Sequence, residues 1–75
     1  VVHSLYSPGS NYILNKAIPG TRLRPDAIDP IKKIIRELKP NNPAAIKRGW
    51  KQLEMYRNAA NDWIEGAWQI FIDIY

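Results

Sequence analysis

Asp26, Glu37 and Lys39 are the residues of this chain whose types and spacing suit joint action on a substrate. Glu37 and Lys39 are two apart, so an extended segment points both side chains to one face. A turn at Asp29-Pro30 would join an extended segment over 21–28 to a second over 33–39. In that hairpin Asp26 approaches Glu37 across the ladder, and two carboxylates and an ammonium converge. Neighbouring carboxylates repel unless a proton or a cation lies between them, and Mg²⁺ is commonly held by one or two carboxylates plus water and phosphate oxygens. Asp26 and Glu37 therefore read as a seat for Mg²⁺ or Mn²⁺. Such an ion polarises a phosphoryl oxygen and acidifies water, while Lys39 would orient that water or offset developing charge. The chemistry that fits this set is phosphodiester hydrolysis.

The elements that must position these residues can be read from pattern. Residues 21–28 alternate, with Arg22, Arg24, Asp26 and Ile28 on one side and Thr21, Leu23, Pro25 and Ala27 on the other. Pro25 has no N–H for a ladder, which places a strand end, bulge or edge there. Residues 33–39, with Ile34, Ile35 and Leu38, read as a second strand. Pro40-Asn41-Asn42-Pro43 stops it and opens a helix, Asn42 as N-cap and Pro43 at the first helical position. The helix is expected to run to about residue 63. Ile46, Trp50, Leu53, Tyr56 and Ala60 would form its apolar stripe, opposite Lys47, Lys51, Glu54 and Asn58. After Glu65-Gly66, residues 67–75 alternate Trp68, Ile70, Ile72 and Ile74 with Gln69, Phe71, Asp73 and Tyr75, the pattern of a mostly buried strand. Residues 1–19 read as an irregular or short helical lead-in, with a turn at residues 7–10, a short Tyr12-Ile13-Leu14 segment and punctuation at Ile18-Pro19-Gly20. The expected architecture is α/β: β-hairpin, helix, strand, around a central mixed sheet, in a single domain spanning 1–75 with its core in 20–75.

Composition narrows the chemistry. A chain of 75 residues buries little core; a domain of this size hides only roughly 60% of the surface its unfolded form exposes. Yet 45% hydrophobic residues, with three Trp and four Tyr, are enough for one sheet on one helix. Cysteine is absent and His3 is the only histidine, so a metal would be held by oxygen. The net charge of +4 favours an anionic partner. No run approaches the roughly 20 apolar residues of a membrane span. The start without Met, inside an apolar-polar pattern, suggests a piece of a longer protein.

Pro25-Asp26, ten intervening residues, then Glu37-Leu38-Lys39 resembles the PD-(D/E)XK signature of restriction-endonuclease-like nucleases. Gln52 and Tyr56, four apart on the following helix, resemble the Q-xxx-Y element found after the catalytic strand in several branches of that superfamily. More narrowly, the stretch from Gly20-Thr21-Arg22 to Asp26-Ala27-Ile28-Asp29, and that from Glu37 through Pro40-Asn41-Asn42-Pro43 to Lys51-Gln52-Leu53, are similar to nuclease toxin domains of bacterial polymorphic toxins. The resemblance implies a metal-dependent endonuclease toxin with Asp26, Glu37, Lys39, Gln52 and Tyr56 as site residues and Mg²⁺ or Mn²⁺ on Asp26 and Glu37. It further implies a nucleic-acid substrate, DNA before RNA, and contact-dependent or type VI-like delivery of a secreted effector to a target cell's cytoplasm. A cognate immunity protein is the implied partner. Upstream the chain departs from the superfamily, which usually has a longer first helix, often with another acid, and a first strand; no acidic residue precedes Asp26.

Plainer readings stand beside these. Asp26 alone could be a turn residue, and Glu37-Leu38-Lys39 a solvated face with a weak ion pair. Asp29 is expected in the turn, pointing away from Asp26. Arg22 and Arg24 either grip phosphates or balance the acidic cluster. Lys47, Arg48 and Lys51 either line a phosphate track or are a solvated helix face. Trp50, Trp63 and Trp68 are better read as core than as base-stacking platforms. The rival functions are a repair or restriction nuclease of the same superfamily, a noncatalytic nucleic-acid or protein-binding module that keeps the fold, and an interaction domain that pairs through a sheet edge.

Overall fold

The computed structural model describes residues 8–9 and 11–75. His3 and part of the turn expected at residues 7–10 lie outside the described residues. Among the described residues four strands, β1 (Ile13–Leu14), β2 (Ala27–Asp29), β3 (Ile34–Lys39) and β4 (Gln69–Ile74), and one helix, α1 (Pro43–Trp63), make an α/β fold with a mixed sheet. The sheet order is β1-β2-β3-β4. β1 with β2 and β2 with β3 are antiparallel, whereas β3 and β4 run parallel, joined through α1 as a parallel pair requires.

The hairpin forms where Asp29 punctuates the chain. Its Oδ1 accepts the N–H groups of Ile31 and Lys32, each at 3.0 Å, and Lys33 adopts the left-handed region at φ 58° to turn into β3. The strand is shorter than the alternation over 21–28 predicts, because residues 21–26 are held as a separate bend. Ile18 N–H donates to Leu23 O at 2.9 Å, and Thr21 Oγ1 donates to Ile18 O at 2.8 Å and accepts from Leu23 N–H at 3.1 Å. Arg22 and Arg24 consequently lie exposed in that bend while Asp26 is buried. β1, only two residues long and exposed, lies in the short Tyr12-Ile13-Leu14 segment, whose pattern is too brief to mark it as a strand.

Asn42 caps α1, its Oδ1 accepting Ala45 N–H at 2.8 Å, with Pro43 in the first turn. The buried stripe is Ala45, Gly49, Leu53, Tyr56 and Ala60. It is rotated from the expected one: Trp50 is 44% exposed and Trp63 38%, so neither joins the core. Small residues face the sheet because β3 and β4 cross the helix closely there. Ile18, Ile28, Ile35, Leu53, Tyr56, Ala60 and Trp68 form the core, and Trp68 Nε1 donates to Ile64 O at 2.8 Å. Full burial of side chains such as Ile35 and Leu53 contributes about 1.5–3 kcal/mol each. β4 is an edge strand and only partly buried, not the mostly buried strand its sequence suggests. Away from the helix, Arg36 ties the sheet together: Nε donates to Tyr12 Oη at 3.0 Å, Nη1 meets Asp73 Oδ1 at 2.9 Å, and the guanidinium lies 4.7 Å from the Phe71 ring centre.

Candidate active site

Strand register assembles the acidic pair. Ala27 stands opposite Arg36, so the next step of the antiparallel ladder sets Asp26 against Glu37. The two carboxylates are locked by backbone groups of each other's strands. Asp26 N–H donates to Glu37 Oε1 at 2.8 Å, and Leu38 N–H donates to Asp26 Oδ2 at 2.8 Å. Both residues are buried, Asp26 at 8% exposure and Glu37 at 4%. Burial of two carboxylates is costly unless hydrogen bonds or opposite charge offset it, and here charge-assisted bonds of that kind are in place.

Lys39 supplies the positive charge, with Nζ 3.7 Å from Glu37 Oε2. Its stem reaches that position by lying across α1 at Gly49. A Cβ at position 49 would stand 3.0 Å from Lys39 Cγ and 3.1 Å from Ile72 Cδ1. Gly49 is thus the residue that admits Lys39 between sheet and helix. Sequence reasoning missed it, although a glycine inside a helical pattern, a cost of about 1 kcal/mol against alanine, was a visible signal.

α1 contributes Tyr56 and Gln52 from the same side. Burial pushes the Tyr56 phenol up to about 12, and the nearby charges of Glu37 and Asp26 push in the same direction. The hydroxyl therefore remains a protonated donor facing the acidic pair. Gln52, one turn earlier, carries a buried Oε1 that has no hydrogen-bond partner among the described residues. Arg48, exposed, is a further turn back on that flank. Lys47 and Lys51, also exposed, stand about 160° around the helix from Gly49, away from the sheet. Asp29 is occupied in the turn, as its position predicts.

Asp26, Glu37, Lys39 and Tyr56 are therefore brought together, with Gln52 on the adjoining helical turn, whereas Arg22 and Arg24 stay exposed in the bend that precedes Asp26. Among the described residues no three of His, Cys, Asp and Glu gather as a metal group. The two buried carboxylates nevertheless match what Mg²⁺ asks of a protein when water and phosphate supply the other ligands.

The model of restriction endonuclease fold toxin 9, Tox-REase-9, matches residues 1–75. The chain belongs to this family. No curated protein and no solved structure gives a match. The mixed four-stranded sheet with its packed helix is consistent with the restriction endonuclease fold, and family membership makes nuclease toxin the coarse function of the chain. No helix among the described residues is long and apolar enough to cross a membrane.

Proposed function

We propose that this Tox-REase-9 domain is a metal-dependent endonuclease whose catalytic groups are Asp26, Glu37 and Lys39, with Tyr56 and Gln52 as helix-borne partners. The observation that carries the reading is the pair of 2.8 Å bonds in which Glu37 accepts Asp26 N–H and Asp26 accepts Leu38 N–H, with the Lys39 ammonium 3.7 Å from Glu37. Mg²⁺ or Mn²⁺ held by Asp26 and Glu37 would supply positive charge to the phosphoryl oxygens and acidify the attacking water. Lys39, restrained by Glu37 and by the groove at Gly49, orients that water and meets charge developing on the phosphate. Tyr56 stays protonated and donates a hydrogen bond into the site. Gln52 Oε1 offers an acceptor to a water or to the ion. Arg22, Arg24 and Arg48 contact the substrate backbone nearest the cluster, and Lys47 and Lys51 extend the positive field farther out.

DNA is the preferred substrate and RNA the alternative. In this reading the domain is a secreted bacterial effector acting in the cytoplasm of a target cell, and its +4 charge suits an acidic immunity protein.

Incubation with plasmid DNA and with total transfer RNA, in Mg²⁺, Mn²⁺ or EDTA, tests the assignment. Glu37→Gln and Lys39→Met are the informative variants. Glutamine keeps an oxygen for Asp26 N–H while removing the charge, and methionine keeps the stem of Lys39. Each variant should fold and lose roughly 10²–10³-fold in rate. Cleavage that survives both, or that proceeds in EDTA, sinks the proposal.

A further inference from the structure

A cavity of about 200 Å³ is lined by Ile13, Lys16, Ile18, Ile28 and Trp63 with Ala17 and Pro19. Its floor is apolar: Ile18 and Ile28 are 1% and 3% exposed. Its mouth carries the half-open side chains of Ile13 and Trp63, with exposed Lys16 beside them. No group of the catalytic cluster faces it, and the sequence pattern assigns Trp63 to the core, a place it does not occupy.

Position gives this cavity a meaning. Ile28, in its wall, is two residues beyond Asp26 on the same face of the sheet, about 7 Å along an extended chain. Trp63, in the opposite wall, is two helical turns beyond Tyr56, about 10 Å along the axis. The cavity thus lies roughly one nucleotide from the place where Asp26, Glu37 and Lys39 would hold a phosphate. It is too small for the roughly 300–1,000 Å³ typical of drug-sized ligands, and one planar ring system suits its volume. An aromatic wall, aliphatic packing and a single cation at the rim are the groups that hold an unstacked base and its phosphate.

We infer that this cavity receives one unstacked base of the substrate nucleic acid, stacked on Trp63 with Lys16 on an adjacent phosphate. A duplex with every base paired cannot supply that base without opening, so the domain favours single-stranded or looped nucleic acid over intact duplex. The inference rests on the nuclease reading for the placing of the phosphate, but the pocket is tested by binding alone.

The test measures binding of the full 75-residue chain in EDTA, where cleavage is suppressed. The probes are a fluorescein-labelled single-stranded DNA decamer, the RNA decamer of the same sequence, and the matching DNA duplex. Both single strands should bind about tenfold more tightly than the duplex, and a preference between DNA and RNA identifies the source of the base. Trp63→Leu should cost the single strands about tenfold, the scale of one base–aromatic stack, and leave duplex binding unchanged. Trp63→Phe should restore most of the loss, which separates stacking from a folding defect.

Equal affinity for strand and duplex, or a Trp63→Leu loss shared by both, overturns the inference. So does concentration-dependent dimerisation abolished by Trp63→Leu, which would make the pocket a contact between copies. A domain that binds strands through Trp63 yet cleaves nothing leaves the pocket standing and removes the nuclease reading; cleavage of duplex indifferent to Trp63 does the reverse.

Discussion

Gly49→Ala is the perturbation that best separates packing from chemistry. The new methyl would stand 3.0 Å from Lys39 Cγ, 3.1 Å from Ile72 Cδ1 and 3.4 Å from Lys39 Cε. Comfortable carbon contacts are about 3.5–4.0 Å, so between half an ångström and one must be found. Ile72 Cδ1 is a side-chain terminus and yields by rotation. Lys39 Cγ is one bond from a Cβ fixed by β3, so relief there swings the stem and carries the ammonium away from Glu37. Alanine gains about 1 kcal/mol in helix propensity, while overpacking costs about 1–3 kcal/mol. Net destabilisation by up to about 2 kcal/mol follows, read by urea unfolding. On the nuclease reading, displacement of Lys39 by about 1 Å lowers kcat by up to roughly 10²-fold, with KM little changed. Adding Ile72→Val removes Cδ1 but leaves the contact with Lys39 Cγ, so it should not restore the rate. A Gly49→Ala protein that is about 1 kcal/mol more stable and cleaves at the wild-type rate would refute the placement of Lys39 in this groove.

The Tyr56 phenol, raised to about 12 from an ordinary 10, contributes stability that is present below pH 10 and lost as pH climbs through 12, roughly 2–3 kcal/mol in all; Tyr56→Phe should flatten that alkaline loss in pH-dependent unfolding, and an unchanged curve would count against the burial of the hydroxyl. Gln52→Met removes a buried acceptor that has no partner among the described residues, so the protein should gain about 1 kcal/mol in chemical denaturation while cleavage falls, and a loss of stability would show that Oε1 is satisfied after all. Asn42→Ala should lower the unfolding free energy by about 1 kcal/mol through loss of the cap on Ala45 N–H, with α1 fraying from its first turn by amide exchange. Asp29→Ala strands the N–H groups of Ile31 and Lys32 and should cost about 1–3 kcal/mol, yet the folded fraction should cleave normally; a specific loss of activity would refute a purely structural role for Asp29.

Local chemistry made much of this protein legible from its residues. Asn42-Pro43 marked the start of α1 because a side-chain cap and a proline without N–H act within one turn. Asp29-Pro30 marked the hairpin turn, and the two-residue spacing of Glu37 and Lys39 put both on one face of β3 whatever the strand paired with. The family resemblance, from Asp26, Glu37-Leu38-Lys39 and the Gln52 to Tyr56 spacing, agrees with the family the chain belongs to. Other features depended on distant partners. β1 exists only because β2 offers it a ladder, and residues 21–26 leave the strand pattern because Ile18 and Thr21 claim Leu23. Alternating β4 looks buried, yet it is half-open because sheet order puts it at an edge. The helix stripe turned from Ile46 and Trp50 to Ala45 and Gly49 because close approach to β3 and β4 rewards small side chains, which a hydrophobicity pattern ranks low. Residue types and short spacings thus determined which groups could act; tertiary structure alone decided that Glu37 holds Asp26 N–H and Asp26 holds Leu38 N–H across the hairpin, that Lys39 lies over Gly49 and that Trp63 opens a cavity, since each depends on contacts between elements that no local preference encodes.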